Sequence, residues 1–311
     1  MITTREVILV KEEVTYNTDP TPTAGANAVL VENLNWQNEG ARMNERPSIK
    51  ASFGSVQQVY GGTLRTVTFD VELKGSGAAG TAPEMGDLLE SCGFAETVVA
   101  STSVTYDPAS TAIKSVTLYY YQDGTLMKLT GARGNVSFSL PVGEVGKASF
   151  TITGHVSAVT DATLVTGTYD SVVPSAFIGA AFSIDSGTPY SAVIANLSID
   201  MGGSLSLSPD ANSADGYGEV RMTTRDVSGS FDPEHQLVAT TPFDADWKAG
   251  TNFALTTGAI GGTAGNIYTI ALPVIYYREI GPGDRDAIRT LDVSFGAAES
   301  TTDDEISIAF T

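Results

Sequence analysis

The chain has 311 residues and a formal net charge of −19, from 36 acidic and 17 basic side chains. Its length exceeds one average domain and its 42% hydrophobic content suffices for packed cores, so two domains are expected. The acidity argues against a surface that grips nucleic acid, because phosphate binding draws its affinity from Lys and Arg.

In chain order, the apolar run at residues 7–10 is too short for a secretory signal, which points to synthesis in a cytoplasm. Residues 29–36 form an apolar segment, and the polar stretch 37–48 that follows is long for a hairpin loop. Val67, Phe69, Val71 and Leu73 alternate with Thr66, Thr68, Asp70, Glu72 and Lys74, the period of a strand with one buried and one polar, mildly acidic face. Residues 83–93 read as a short helix, opened by Pro83, acidic at its start and closed by Gly93. Strands are expected at 115–121, at 126–138 with a break near 131–134, and at 148–153, with turns at 122–124 and 142–146.

The second half repeats this order. Opening strands fall in 193–207, a polar loop at 208–218, a strand at 219–231, a helix at 242–250, and closing strands at 267–277, 287–295 and 306–310. Val136-Ser137-Phe138 matches Val293-Ser294-Phe295 at a spacing of roughly 157 residues, and the same spacing brings 148–153 to 305–310. The fold class is therefore all-β. Two tandem β-sandwich or half-barrel domains, each with one short helix, are expected at 1–157 and 189–311, with a linker at 158–188 and an internal duplication as their origin.

Residues 16–30 (Tyr-Asn-Thr-Asp-Pro-Thr-Pro-Thr-Ala-Gly-Ala-Asn-Ala-Val-Leu) resemble the start of tail tube, or major tail, proteins of long-tailed, non-contractile bacteriophages. The resemblance continues through Arg46-Pro47-Ser48-Ile49, Gly61-Gly62-Thr63-Leu64-Arg65 and on to Leu73, residues 83–89 and Cys92-Gly93-Phe94. It is best across residues 1–155. The second half resembles the family only in its pattern and lacks the Asn-Thr-Asp-Pro-Thr-Pro stretch.

The resemblance implies a virion structural protein, assembled in the host bacterial cytoplasm, whose strands join neighbouring copies into rings that stack as a tube for double-stranded DNA. A chain with two tube units would close such rings as trimers of pseudo-sixfold symmetry. Tape measure, tail terminator and distal tail proteins are the partners it implies. Within that frame Asp70, Glu72, Ser137, Ser139, Asp292 and Ser294 are candidates for the lumen, where carboxylates repel phosphate over about 8 Å and hydroxyls hold water. Ser149, Thr151 and Thr153 share the pattern, whereas Arg221 and Arg225 on the corresponding second-half face tell against a uniformly acidic lining. Candidate contacts between rings are Asp19, Pro20 and Pro22, in an N-terminal arm whose prolines resist folding back, and Asn38, Glu39, Arg42, Glu45 and Arg46 in the long polar loop.

Catalytic and metal chemistry finds no motif. His155 and His235 have no ligand spacing with each other or with Cys92, and that sole cysteine excludes an intrachain disulfide. Gly261-Gly262-Thr263-Ala264-Gly265 lacks the Lys and helix of a phosphate loop, and the carboxylate pairs Asp303-Asp304-Glu305 and Asp244 with Asp246 are expected from composition. Neither an enzyme nor a cofactor is expected. The longest apolar stretch, 267–277, is too short to cross a bilayer, so no membrane insertion is expected. The competing readings are a phage-borne carbohydrate-binding or adhesive β-sandwich, for which Trp36, Trp247 and Tyr119-Tyr120-Tyr121 would supply aromatics, and a phage neck or decoration protein.

Overall fold

The computed structural model describes residues 4–187 and 189–311. Residues 1–3, at the start of the expected first domain, and residue 188, the last of the expected linker, lie outside the described residues. The first half comprises β1 (Glu6–Glu12), β2 (Ala28–Val29), β3 (Glu32–Glu39), β4 (Met43–Asn44), β5 (Val59–Tyr60), β6 (Leu64–Glu72), helix α1 (Gly86–Ser91), β7 (Phe94–Val99), β8 (Ser103–Pro108), β9 (Val116–Gln122), β10 (Thr125–Pro141) and β11 (Lys147–Asp161). The second comprises β12 (Ser183–Asp185), β13 (Pro189–Tyr190), β14 (Asn196–Asp200), β15 (Ser204–Pro209), β16 (Tyr217–Thr224), β17 (Ser228–Phe231), helix α2 (Phe243–Ala249), β18 (Phe253–Thr256), β19 (Tyr268–Arg285), β20 (Ile288–Ala297) and β21 (Ser307–Phe310). The fold is all-β with antiparallel ladders.

The pairings fall into two series. In the first, neighbours run β2–β1–β9–β10–β11–β6–β3. In the second they run β13–β12–β18–β19–β20–β17–β14. Each element of one order has a counterpart at the same place in the other. Each series also inserts a two-stranded hairpin between its third strand and the strand beside it, β4–β5 in one and β15–β16 in the other.

The series meet where β10 pairs with β14, Phe138 opposite Ile199 and Ser139 opposite Ser198. A second link pairs β8 of the first half with β21, which also pairs with β19. Along the first seam the sheet β3–β6–β11–β10–β14–β17–β20–β19 is continuous. Its inward side chains, Phe69, Val71, Phe138, Phe150, Leu197, Ile199, Val293 and Phe295 among them, are buried in one apolar cluster drawn from both halves. Each such burial contributes about 1.5–3 kcal/mol. Gly229 permits a close approach on β17, because a Cβ there would lie 2.3 Å from the Ser198 carbonyl oxygen and 2.5 Å from the Phe295 ring.

Both expected helices form. Gly93, at φ +90°, follows α1, and Gly250, at φ +63°, caps α2 in the left-handed conformation that glycine tolerates. The break anticipated near 131–134 is a pair of register shifts, at Lys128/Leu129 and Thr130/Arg133.

Several expectations are corrected. Residues 219–231 are not one strand: β16 ends at Thr224 and belongs to the hairpin with β15, and β17 begins at Ser228. Arg221 therefore lies on that hairpin. Arg225 turns away to Glu305 (3.0 Å) and Asp303, so neither arginine is on the sheet face. The spacing of 157 residues does not join like positions in the sheet either, since β19 holds the place of β10 and β20 that of β11. Strand β11 extends to Asp161 and β12 begins at Ser183, both inside the stretch read as linker.

The N-terminal arm folds back on its own chain, against the expectation from its prolines. The buried Glu13 carboxylate accepts hydrogen bonds from Ser115 and Thr117 (2.6 Å each) and from the amides of Asn17 and Gly131 (2.8 Å each). Asp19 accepts from Tyr119 (2.5 Å) and Lys128 (3.2 Å), Lys11 donates to the Pro20 carbonyl, and Pro22 is buried. Asp19, Pro20 and Pro22 are thus tied into the first half and do not project.

Candidate functional site

Two surface features stand out, a polar sheet face and a projecting hairpin. The face is the outer side of the continuous sheet. One register row crosses it through Glu72, Lys147, Ser139, Ser198, Ser230, Ser294 and Glu279. The adjacent row contains Asp70, Ser149, Ser137, Asp200 and Ser228. Because side chains alternate across a strand, these residues share one side. Asp70, Glu72, Ser137, Ser139 and Ser294 lie in these rows, and Asp292, two residues from Ser294, lies on the same side opposite Gly281. All six candidate lumen residues are therefore on one face. Thr151 joins them, but Thr153 is buried, its hydroxyl 2.8 Å from that of Thr66.

Small hydroxyls and carboxylates dominate this face, and most hydrogen bonds run between neighbours. Asp70 accepts from Ser149 (2.5 Å) and Asn33 (2.7 Å), Asp200 from Asn135 (2.7 Å), and Ser198 bonds Ser230 (2.9 Å). The cations on it are compensated: Lys147 pairs with Glu32 at 2.6 Å and Arg278 with Asp226. Those carboxylates hold the Lys147 ammonium and the Arg278 guanidinium above their ordinary ranges. Sequence reasoning missed both cations, because it assigned the arginines of a neighbouring hairpin to this face.

The second feature is the hairpin between β3 and β6. Its base is fixed by Arg42, whose guanidinium lies 4.0 Å over the Tyr217 ring, and by Tyr217, which donates to the Gly40 carbonyl. Gly62, at φ +111°, admits the Asp215 carbonyl where a Cβ would come within 2.0 Å of it. Beyond β4 and β5 the segment leaves the body. Ile49 and Phe53 are fully exposed, and Met43, Val59 and Tyr60 are more than half exposed. Of the candidate loop residues, Asn38 accepts from Arg65 (3.3 Å) and Glu39 accepts through its carbonyl from Thr63 (3.1 Å), both at the base. Glu45, which accepts from Gln58 at 3.4 Å, and Arg46 lie on the projecting part. The apolar tip, which sequence reading passed over for the charges around it, is the larger signal.

The counterpart hairpin, β15–β16, is instead folded onto the first half. Arg133 donates to Glu219 and to the Val220 carbonyl (2.7 Å each) and to the carbonyls of Lys114 (3.1 Å) and Ile113 (2.9 Å). Tyr16 accepts from the Val220 amide at 2.8 Å. His155, buried, faces Asp215 at 3.3 Å and the Gly218 carbonyl at 3.0 Å.

Among the described residues no group of His, Cys, Asp and Glu could hold a metal ion. Burial pushes the Cys92 thiol far up. Asp303 and Glu305 hold Arg225, while Asp304 accepts from Ser300 and Thr301. Of the aromatics weighed for a sugar platform, Tyr119, Tyr120 and Tyr121 are buried and Trp36 lies beneath Arg65 at 4.1 Å, while Trp247 is exposed and donates to the Arg278 carbonyl at 3.2 Å. No helix among the described residues is long and apolar enough to cross a membrane.

On α1, desolvation and then the Glu12 carboxylate raise the Glu90 carboxyl to about 7. Its folded form holds a proton that the unfolded chain releases nearer 4.5, so its contribution to stability is complete below that pH and is lost as pH rises through 7. Glu90→Gln is expected to raise Tm at pH 8 and leave it unchanged at pH 4, as differential scanning fluorimetry at both values would show.

A family model described as phage tail tube protein matches residues 3–297. A search of curated proteins finds no match.

Proposed function

The chain belongs to the phage tail tube family, and from that premise we propose that it polymerises into stacked rings whose channel passes double-stranded DNA during ejection. As a member it is a structural component of the virion. The observation that carries the ring reading is the seam between β10 and β14, where two units of identical pairing order add edge to edge. This is how successive units would continue around a ring.

We read the two series as an internal duplication, with units at 1–157 and 189–311 about a connecting stretch at 158–188. Three chains then supply six units, giving a trimeric ring of pseudo-sixfold symmetry. In the phage the tube would enclose a tape measure protein and be closed by terminator and distal tail proteins, and it would assemble in the bacterial cytoplasm.

The polar sheet face is the proposed lining. Its hydroxyls bind water, its cations are already paired, and its carboxylates repel phosphates at short range, so a duplex would slide without being gripped. Replacing Ser137, Ser139 and Ser294 with lysine is expected to leave assembly intact and create salt-dependent retention of DNA, with a log–log slope near −0.9 for each phosphate engaged. Ejection from phage carrying the triple variant should slow. Unchanged ejection and no retention would place this face elsewhere.

Stacking is assigned to the hairpin between β3 and β6. It projects beyond the Leu64 end of β6, roughly 30 Å along that strand from a turn that exposes Val142, near the exposed Ile178 and Val193. Apolar groups at opposite ends suit a head-to-tail contact that repeats without closing. Purified protein viewed by electron microscopy should form hollow tubes of regular discs with three chains per disc. Discs of six whole chains would defeat the trimer reading.

A further inference from the structure

The seam inside the chain joins two series of strands edge to edge. At that seam β14 adds to the outer edge of β10, and Leu197 and Ile199 turn inward to the core beside Phe138 and Leu140. The two pairing orders assign counterparts. Strand β19 stands for β10, and β3 stands for β14. The outer edge of β3 and the Glu279–Arg285 part of the outer edge of β19 carry no ladder among the described residues.

Register follows from the ladders. Val67, Thr68 and Asp70 align with Val227, Ser228 and Ser230, each Val being buried, and the row through Asp70, Ser149 and Ser137 then corresponds to that through Ser230, Ser294 and Glu279. On β14, Asp200 is opposite both Ser137 and Ser228; on β3, Asn35 is opposite Thr68. Glu279 thus takes the place of Ser137, and Asn35 that of Asp200.

Side chains fit the same register. Leu34 on β3 takes the place of the buried Ile199 but is only partly buried in the single chain. Beside the Ile280–Pro282 stretch of β19 lies a hollow with an apolar floor of Phe243, Ile280, Pro282 and Leu291 and a charged rim that includes Asp244, Lys248 and Arg289. Backbone direction agrees as well: the Val142 amide donates to the Ala195 carbonyl, so alternate β10 residues, Phe138 and Leu140, face β14. The same parity puts Ile280 and Pro282 outward on β19, where the proline takes no donor from its own sheet and gives none to an added strand, so Ile280 is the residue that exchanges bonds across the new edge.

We propose that copies join by antiparallel addition of β3 from one chain to β19 of the next, with Ile280 opposite Leu34, Glu279 opposite Asn35, and Leu34 seated in the hollow beside Phe243. This rests on the ring reading above and specifies its edges. The Glu279–Asn35 pair would be a non-hydrogen-bonded one, with Cα atoms about 4.5 Å apart, close enough for a disulfide.

The test uses Asn35→Cys, Glu279→Cys and the double variant, oxidised after assembly and run denatured without reductant. The buried Cys92 is inert. The double variant should give covalent chains up to the trimer, and each single variant should stay monomeric. In unaltered protein, amide exchange at 32–35 and 279–283 should slow at least tenfold on assembly. Tubes that form with no cross-link and unchanged exchange overturn this pairing and leave the ring reading intact. Failure of the unaltered protein to form rings overturns both. If the double variant does not assemble, the exchange result decides alone.

Discussion

Replacing Ile49 and Phe53 together with aspartate should abolish tube formation and leave the folded subunit unchanged. Both side chains are fully exposed in the single chain, so their loss removes nothing from its core. In a stacked tube each would be buried against the next ring, contributing about 2 kcal/mol apiece. Loss of about 4 kcal/mol per chain raises the concentration needed for growth on the order of a thousandfold, and the introduced carboxylates add a desolvation cost. Sedimentation and negative-stain microscopy would score assembly, and circular dichroism the fold. Deleting residues 38–47 is a poorer probe, because it removes Arg42 and Gly40, which hold the hairpin base to Tyr217. Normal tubes from the double variant would remove the hairpin from the stacking contact.

The second large effect concerns the seam. Phe138→Ala should destabilise the chain by about 3–5 kcal/mol, because Phe138 is 1% exposed on β10, between Ala148 of β11 and Ile199 of β14. For a chain of this size Tm should fall by on the order of 10 °C. The defect should loosen both halves together: exchange should accelerate at 197–199 as well as at 148–150. Acceleration confined to the first half would mean that the seam is not a shared core.

How much of this was legible beforehand follows from which signals were local. The alternation through Val67, Phe69 and Val71 identified β6 and its faces because one side of that strand meets the core and the other meets water. The six candidate lumen residues come together for the same reason. Gly and Pro punctuation located both helices. What escaped depended on partners far away in the chain. Strands β7 and β8 are short, and β8 is fixed by β21 about two hundred residues on, with Tyr106 opposite Ile308. Residues 219–231 read as one strand because no Gly or Pro interrupts them before 229, yet Arg225 is drawn aside by Glu305 and Asp303. The N-terminal prolines suggested an arm, but the fold-back is set by Glu13 and Asp19 through donors more than ninety residues on. The repeated element order was visible in the sequence, though not its register, because the extra hairpin β7–β8 and the terminal β21 offset one half against the other.

Three-dimensional reconstruction of tubes grown from the purified chain tests the central claim most directly. The expected density has three chains per ring, the sheet from β3 to β19 of each chain lining the channel, and Asp70, Glu72, Ser137, Ser139, Asp292 and Ser294 facing the lumen. Rings of six whole chains, or a lumen lined by any other surface, would contradict it.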